Sequence, residues 1–366
     1  MEISIIGLPV SGKTTVFDAL TKCSAEPRAH GGAGLTLFPA IAKVPDARVM
    51  KLSDIFHPKK TTLAEIKYVD YAGLPKGFGR EQGVSGQFLN SLSTSDAILQ
   101  VVRAFEDANI PHVDGRIDPL KDIETLDMEL VFSDLTIIEK RLGRLESALK
   151  MGKSSERDAA VKEQALLGKI KASLDQGMPI RLQKLASDEL RAISNYQFLT
   201  AKPMLIVINI GEKQLPEAES ILGTLKAAYS MPQVELISMC GKLERELAQL
   251  QDDEAEEFRK DIGLKETAFA AVIRHSYSLL GLISFFTVGE DEVKAWTVRE
   301  NTPAIQAAGK IHTDIERGFI RAEVMSYDDF IRSGSTAEAR KHGLLRLEGK
   351  TYAVRDGDIA HFLFNI

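Results

Sequence analysis

The chain has 366 residues, 44% of them hydrophobic and 27% charged, which excludes wholesale disorder and leaves room for about two or three domains. Its 46 basic and 52 acidic side chains give a formal charge of -6, so coating of DNA by bulk charge is excluded while a local basic face is not. Two cysteines, Cys23 and Cys240, cannot build a disulfide framework and read as small core residues of a reducing compartment.

The first element is Ile3-Ser4-Ile5-Ile6, an apolar run lacking the basic flank and the length of a signal segment. No later stretch approaches the ~20 apolar residues of a membrane-spanning helix, so a soluble, cytoplasmic protein without membrane contact is expected. The run reads as a buried strand, and Thr14–Leu20 reads as a helix. Between them stands Gly7-Leu8-Pro9-Val10-Ser11-Gly12-Lys13-Thr14, which fits G-x-x-x-x-G-K-[ST] in the strand–loop–helix setting that the motif requires. Gly7 and Gly12 let the backbone curl its N–H groups around phosphates. Lys13 supplies a cation to the β/γ oxygens, and Thr14 a hydroxyl for Mg²⁺. The helix that follows adds its positive N-terminal end.

Ile66–Val69 and Ala97–Val102 read as further buried strands. The first runs into Asp70-Tyr71-Ala72-Gly73, a D-x-x-G that assigns Asp70 to the metal through a water and the Gly73 N–H to the γ-phosphate. The glycine-rich stretch 73–83 suits a segment ordered by that phosphate. Leu74 stands where many GTPases carry a water-orienting Gln. A leucine cannot orient water, so either hydrolysis is slow or another group substitutes. His112 is the nearest candidate by sequence, and it also reads as an ordinary surface-loop residue.

Met128, Val131, Leu135, Ile138, Leu142, Leu145 and Leu149 then recur in alternating steps of three and four, an a/d seam. A polar break at 151–155 is followed by Ala160, Leu167, Ile170 and Leu174, so an antiparallel helical hairpin is expected, a docking arm by shape rather than charge. Met204–Ile208 and Val234–Ile237 resume the buried strands and imply a parallel α/β sheet with crossovers. Ile206-Val207-Ile208 leads into Asn209-Ile210-Gly211-Glu212, where guanine-specific proteins carry N-K-x-D. The Lys that flanks the base is missing and the carboxylate is one methylene longer, so ATP becomes a candidate beside GTP. Ser238-Met239-Cys240-Gly241 is placed to close on the base. An acidic run at 251–257 suits an exposed helix. Ile283–Val288, Val293–Val298, Phe319–Val324 and Thr351–Val354 read as strands of a final mixed sheet.

Together these segments resemble the YchF subfamily of Obg-like ATPases, within the translation-factor-related P-loop GTPases. The resemblance spans G-L-P-x-x-G-K-T at 7–14, D-Y-A-G-L at 70–74, Gly83-x-x-Gly86-Gln87-Phe88-Leu89, Val101–Glu106 and N-x-x-E at 209–212. It continues through Ala295-Trp296-Thr297, Ala307–Asp314, Asp356-Gly357-Asp358 and the final Phe362–Ile366. It implies a Ras-like P-loop domain (1–125 and 197–280), an inserted helical hairpin (126–196) and a C-terminal β-grasp TGS domain (281–366). It also implies Mg²⁺-dependent hydrolysis of ATP in preference to GTP, association with ribosomes or rRNA, and a water-orienting role for His112. The expected state is a monomer or weak oligomer.

On this basis the catalytic candidates are Lys13, Gly73 and His112, and the metal candidates Thr14, Asp70 and Thr36. The nucleotide-binding candidates are Gly7, Pro9, Val10, Ser11, Gly12, Lys13, Thr14 and Thr15, then Asn209, Ile210 and Glu212, then Met239, Cys240 and Gly241. Three departures from the family stand out: Val10-Ser11 for Asn-Val in the loop, Gly34–Ala40 for the usual first switch, and Gly241-Lys242 for two small residues after the last sheet strand. The alternatives are a nucleotide-gated ribosome- or RNA-binding module with negligible turnover, or a GTP-preferring relative.

Overall fold

The computed structural model describes residues 1–21, 36–72, 86–112, 115–151, 157–261 and 267–365. In chain order the strands are β1 (Glu2–Ile6), β2 (Thr36–Lys43), β3 (Lys60–Thr62), β4 (Glu65–Ala72), β5 (Ala97–Arg103), β6 (Met204–Asn209) and β7 (Val234–Met239). Then come β8 (Leu282–Thr287), β9 (Glu292–Arg299), β10 (Phe319–Ser326), β11 (Arg346–Glu348) and β12 (Asp358–Phe364). The helices used below are α1 (Lys13–Leu20), α2 (Ala47–Phe56), α3 (Gly86–Thr94), α4 (Pro119–Met151) and α5 (Arg157–Leu174). The chain divides into two compact units, 1–40 with 67–269 and 41–66 with 270–366.

In the first unit six strands run in the order β2-β4-β1-β5-β6-β7, and the ladders β4-β1-β5-β6-β7 are all parallel. Every residue of β5 and β6 is buried, as expected of strands covered on both faces. The register sets Arg103 beside Asn209 and Asn209 beside Met239, so the loops leaving β5, β6 and β7 share one edge of the sheet. Ligands of open parallel sheets bind at that carboxyl edge.

α4 opens with Pro119, whose missing N–H costs nothing at a first helical position. One continuous helix then serves two cores. Ile123, Leu126 and Leu130 pack under the nucleotide sheet, whereas Val131, Leu135, Ile138 and Leu145 pack with Leu167, Ile170 and Leu174 of α5. The arm seam therefore starts at Val131, and Met128, read from sequence as its first member, is exposed. Arg141 pairs with Glu163 and Glu139 with Lys171, so the two helices run antiparallel. Of the polar break at 151–155, Met151 ends α4 and residues 152–155 lie outside the described residues, as does Cys23; Cys240 is a buried free thiol.

The second unit holds a mixed sheet ordered β11-β10-β12-β8-β9-β3. β8 and β9 form an antiparallel hairpin, β12 lies parallel to β8, and β10 runs antiparallel to β12, the arrangement of a β-grasp. Phe285, Phe319 and Phe362 pack against Ala304, Ala307 and Ala308 of the helix Ala304–Ile311. Thr351–Val354, expected as a strand, makes only a single bridge between Ala353 and Pro303; the edge strand is Arg346–Glu348 instead.

The sixth strand comes from far upstream. β3 pairs in parallel with β9, Lys60 opposite Glu292 and Thr62 opposite Lys294. Arg48 at the start of α2 is gripped by Asp46 and Asp356 and lies over the Phe286 ring. Residues 41–66, counted with the nucleotide domain from sequence, thus group with the C-terminal unit, which takes in residues from 270 rather than 281. Among the described residues no helix is long and apolar enough to cross a membrane.

Candidate nucleotide-binding site

The phosphate loop leaves β1 and returns as α1. Gly12, in the left-handed region at φ 89, lets the chain turn into the helix. A Cβ at Gly7 would lie 2.4 Å from the Val101 carbonyl oxygen, and one at Gly12 2.2 Å from Asn209 Nδ2, so only glycine fits at either place. Val10 is also left-handed, at φ 59, a strained conformation for a β-branched residue and one that the family's usual asparagine tolerates better. Lys13 Nζ donates to the Gly7 and Leu8 carbonyls at 2.9 and 3.0 Å, folding the lysine over its own loop. Burial lowers its pKa to about 8, against an opposing pull from Asp70. Thr14 is an exposed residue whose hydroxyl lies 3.4 Å from the buried Asp70 carboxylate, to which it donates. The sequence thus placed Lys13, Thr14 and Asp70 at one site, and the sheet order brings them together there.

Asn209 is the strap of the site. Its Nδ2 donates to the Ser11 carbonyl at 3.0 Å, and its Oδ1 accepts from Gly241 N at 3.1 Å. It therefore ties the phosphate loop to the loop after β7. Gly241 contributes its amide to this strap, and Cys240 caps the helix Gly241–Leu247. Ile210 and Met239, read from sequence as nucleotide contacts, are both buried, Ile210 in the core under the sheet, and Met239 does not line the cleft. Glu212 is at the mouth, accepting from Lys242 Nζ at 2.9 Å. The two side chains are 48% and 66% exposed, so this ion pair is wet and weakly held.

A cleft of about 900 Å³ opens beside the loop, lined by Gly12, Thr15, Asn209, Ile210, Glu212 and Cys240 from the sequence candidates. Its remaining wall was not read from sequence: Phe105 to Ala108 and Ile110 after β5, with Lys213, Gln214, Lys242 and Arg245. Phe105 stands where a Cβ on Gly12 or Gly211 would touch it, at 3.7 and 3.6 Å. Gln214 accepts from Gly211 N and donates to the Ala104 carbonyl, pinning the N-x-x-E turn to the end of β5. The signal for this wall was the arginine closing a buried strand, in Val101-Val102-Arg103.

His112 is not part of the cleft lining. Its Nε2 meets Asp122 Oδ2 of α4 at 3.1 Å, and the two side chains are only 7% and 5% exposed. The expectation of a surface-loop histidine is therefore corrected, because its ring is held against α4 by a buried carboxylate. Gly73 and Leu74 lie outside the described residues, and Thr36 is described only as the first residue of β2.

The chain can now be set beside known proteins. A family model described as "50S ribosome-binding GTPase" matches residues 2–134, and a YchF-GTPase C-terminal model, described as "Protein of unknown function (DUF933)", matches 282–365. A protein named "Ribosome-binding ATPase YchF" from Bacillus subtilis (strain 168) is 39% identical over 368 residues, covering 100% of both chains. The chain belongs to the YchF family. A YchF protein of the same name from Escherichia coli O157:H7 is 38% identical over 100% of this chain and 99% of its own. The solved structure of the Schizosaccharomyces pombe YchF GTPase superposes with a TM-score of 0.84 at 34% identity, covering 99% of this chain and 97% of that one. The YchF assignment read from the motifs is thereby established, and with it the P-loop α/β fold carrying a helical region and a β-rich C-terminal part.

Proposed function

We propose that this YchF protein is a ribosome-associated, Mg²⁺-dependent nucleotide hydrolase that takes ATP in preference to GTP. The observation that carries the preference is the base end of the cleft. Ile210, a 2% exposed apolar residue of the cleft wall, stands where a guanine-reading site needs a lysine stem, and Glu212 is one methylene longer than the usual aspartate. Its pairing with Lys242 is exposed and weak, so the preference rests on these two replacements. The names of the relatives support the same reading, since those proteins are called ribosome-binding ATPases.

The roles follow from position. Loop amides and Lys13 receive the phosphates, and Lys13 exchanges its hydrogen bonds to Gly7 and Leu8 for phosphate oxygens. Thr14 and Asp70 present a hydroxyl and a carboxylate side by side, a hard oxygen donor set that fits Mg²⁺. The ion, when bound, would neutralise phosphate charge that develops in hydrolysis. In this reading the D-x-x-G motif assigns Asp70 to the ion through a water and the Gly73 amide to the γ-phosphate, and Thr36 remains the first-switch metal candidate. In this reading His112 orients water only after its contact with Asp122 opens, and that contact favours slow intrinsic turnover and leaves a nucleotide-gated ribosome-binding role as the second reading. The absence of a spanning helix among the described residues and the ribosome-binding relatives support work in the cytoplasm.

Calorimetric titration of ATP and GTP tests the preference; tighter ATP binding is expected, and equal affinities overturn it. Single-turnover hydrolysis with and without ribosomes separates the two readings. No acceleration by ribosomes and no loss in His112→Ala would sink the catalytic role of that residue.

A further inference from the structure

Arg103 is the last residue of β5 and is 2% exposed, so its guanidinium is taken out of water at the carboxyl edge of the sheet. Its Nε donates to the Phe105 carbonyl at 3.1 Å and its Nη2 to the Ile110 carbonyl at 2.7 Å. The same guanidinium lies over the Phe105 ring, 4.5 Å from its centroid. One planar group thus closes both ends of the segment that walls the cleft, and fixes Phe105, whose ring edge lies beside Gly12 and whose Cβ lies beside Gly211. Nη1 is buried without a hydrogen-bond partner among the described residues. A core position asking only for bulk would be served better by an apolar side chain, because an incompletely paired buried cation is costly.

We propose that Arg103 is a positioning residue for the nucleotide, setting the base-side wall of the cleft while leaving the phosphate loop alone. It acts through the Phe105–Ile110 backbone and does not itself reach the ligand. The carbonyl it holds belongs to Ile110, two residues before His112, so the same clamp fixes where the chain enters the His112–Asp122 contact. Lysine has no fork and cannot serve both carbonyls in this geometry. The proposal rests on the reading of the cleft as a nucleotide site.

The full-length protein separates base from phosphate with two probes, a non-hydrolysable ATP analogue and inorganic tripolyphosphate, both with Mg²⁺. In Arg103→Met the analogue is expected to lose about tenfold or more in affinity, while tripolyphosphate changes by less than about twofold. Arg103→Lys, which keeps charge and bulk, is expected to show the same split at about threefold and not to rescue the wall. In turnover the loss falls on KM more than on kcat. Equal losses for both probes, or none for either, overturn the proposal, and so does full rescue by lysine. If wild-type protein binds neither probe, the nucleotide reading fails first, which distinguishes that failure from this one.

Discussion

In the nucleotide unit Asp70, Arg103, Asp122, Asp127, Asp134 and Glu244 are all buried, whereas in the C-terminal unit Asp358 is the one buried charged residue among the described residues. The buried charges of the first unit are spent on backbone and loops. Asp134 accepts from Leu199 N, Thr200 N and the Thr200 hydroxyl, Arg103 holds two carbonyls, and Asp122 holds His112. The C-terminal unit relies on phenylalanines closing over a helix of alanines, and keeps Arg48, Glu292, Arg340 and Glu323 at its surface or half-buried. Burying a charge costs free energy that apolar packing does not, so it is found where backbone or a loop must be held in one place.

The sharpest way to break this contrast is to open the apolar core. Phe285→Ala is expected to destabilise the C-terminal unit by about 3–5 kcal/mol in denaturant melts. It should leave ATP affinity unchanged, and a shift in affinity would show that the two units are not independent in this respect. Next in size, Lys13→Met should cut kcat/KM by about 10²–10³-fold with the fold intact by circular dichroism. Because the Lys13 ammonium sits at about 8 in the free protein, ATP affinity should also fall as the pH rises through that value.

A smaller effect comes from the root of the helical arm. Burial raises the Asp134 carboxyl from 3.8 to about 6, and raises Asp127 in the same direction. Between those values the folded chain holds a proton that the unfolded chain has released, so stability falls as the pH rises from about 4 to about 6. Asp134→Asn should flatten that slope in pH-dependent melts; an unchanged slope would assign it to Asp127 and its neighbours. Smallest is the half-exposed Arg141–Glu163 pair, where Arg141→Ala should cost no more than about 1 kcal/mol. A larger loss there would mean that the Tyr196 hydroxyl, which donates to the same Glu163, depends on the pair.

Legibility in the sequence followed locality. The five parallel strands, the phosphate loop, Asp70 at the end of β4 and the helical hairpin each announce themselves within a window of a few residues, through apolar runs, glycines at fixed spacing or an a/d seam. β3 does not, because Lys60-Thr61-Thr62 has neither apolar alternation nor length, and its partner β9 begins 230 residues later. The same limit explains Asp122, Lys242 and Gln214. Each is an ordinary polar side chain in its own segment, and its role appears only in the partner it meets: His112, Glu212 and the Ala104 carbonyl.

The sequence by itself determined that this protein carries a phosphate loop, because left-handed backbone at Gly12 and a cation at Lys13 are local requirements that few other residues meet. It also determined the family, since collinear motifs run the length of the chain. Only the tertiary structure decided what surrounds that loop. Sheet order put Arg103, Asn209 and Met239 on neighbouring strands, turned Asn209 into a strap and Arg103 into a clamp, and drew Lys60–Thr62 into the C-terminal sheet. The physical reason is that hydrogen bonding and burial are settled by which distant segments become neighbours, and no spacing within one segment encodes that.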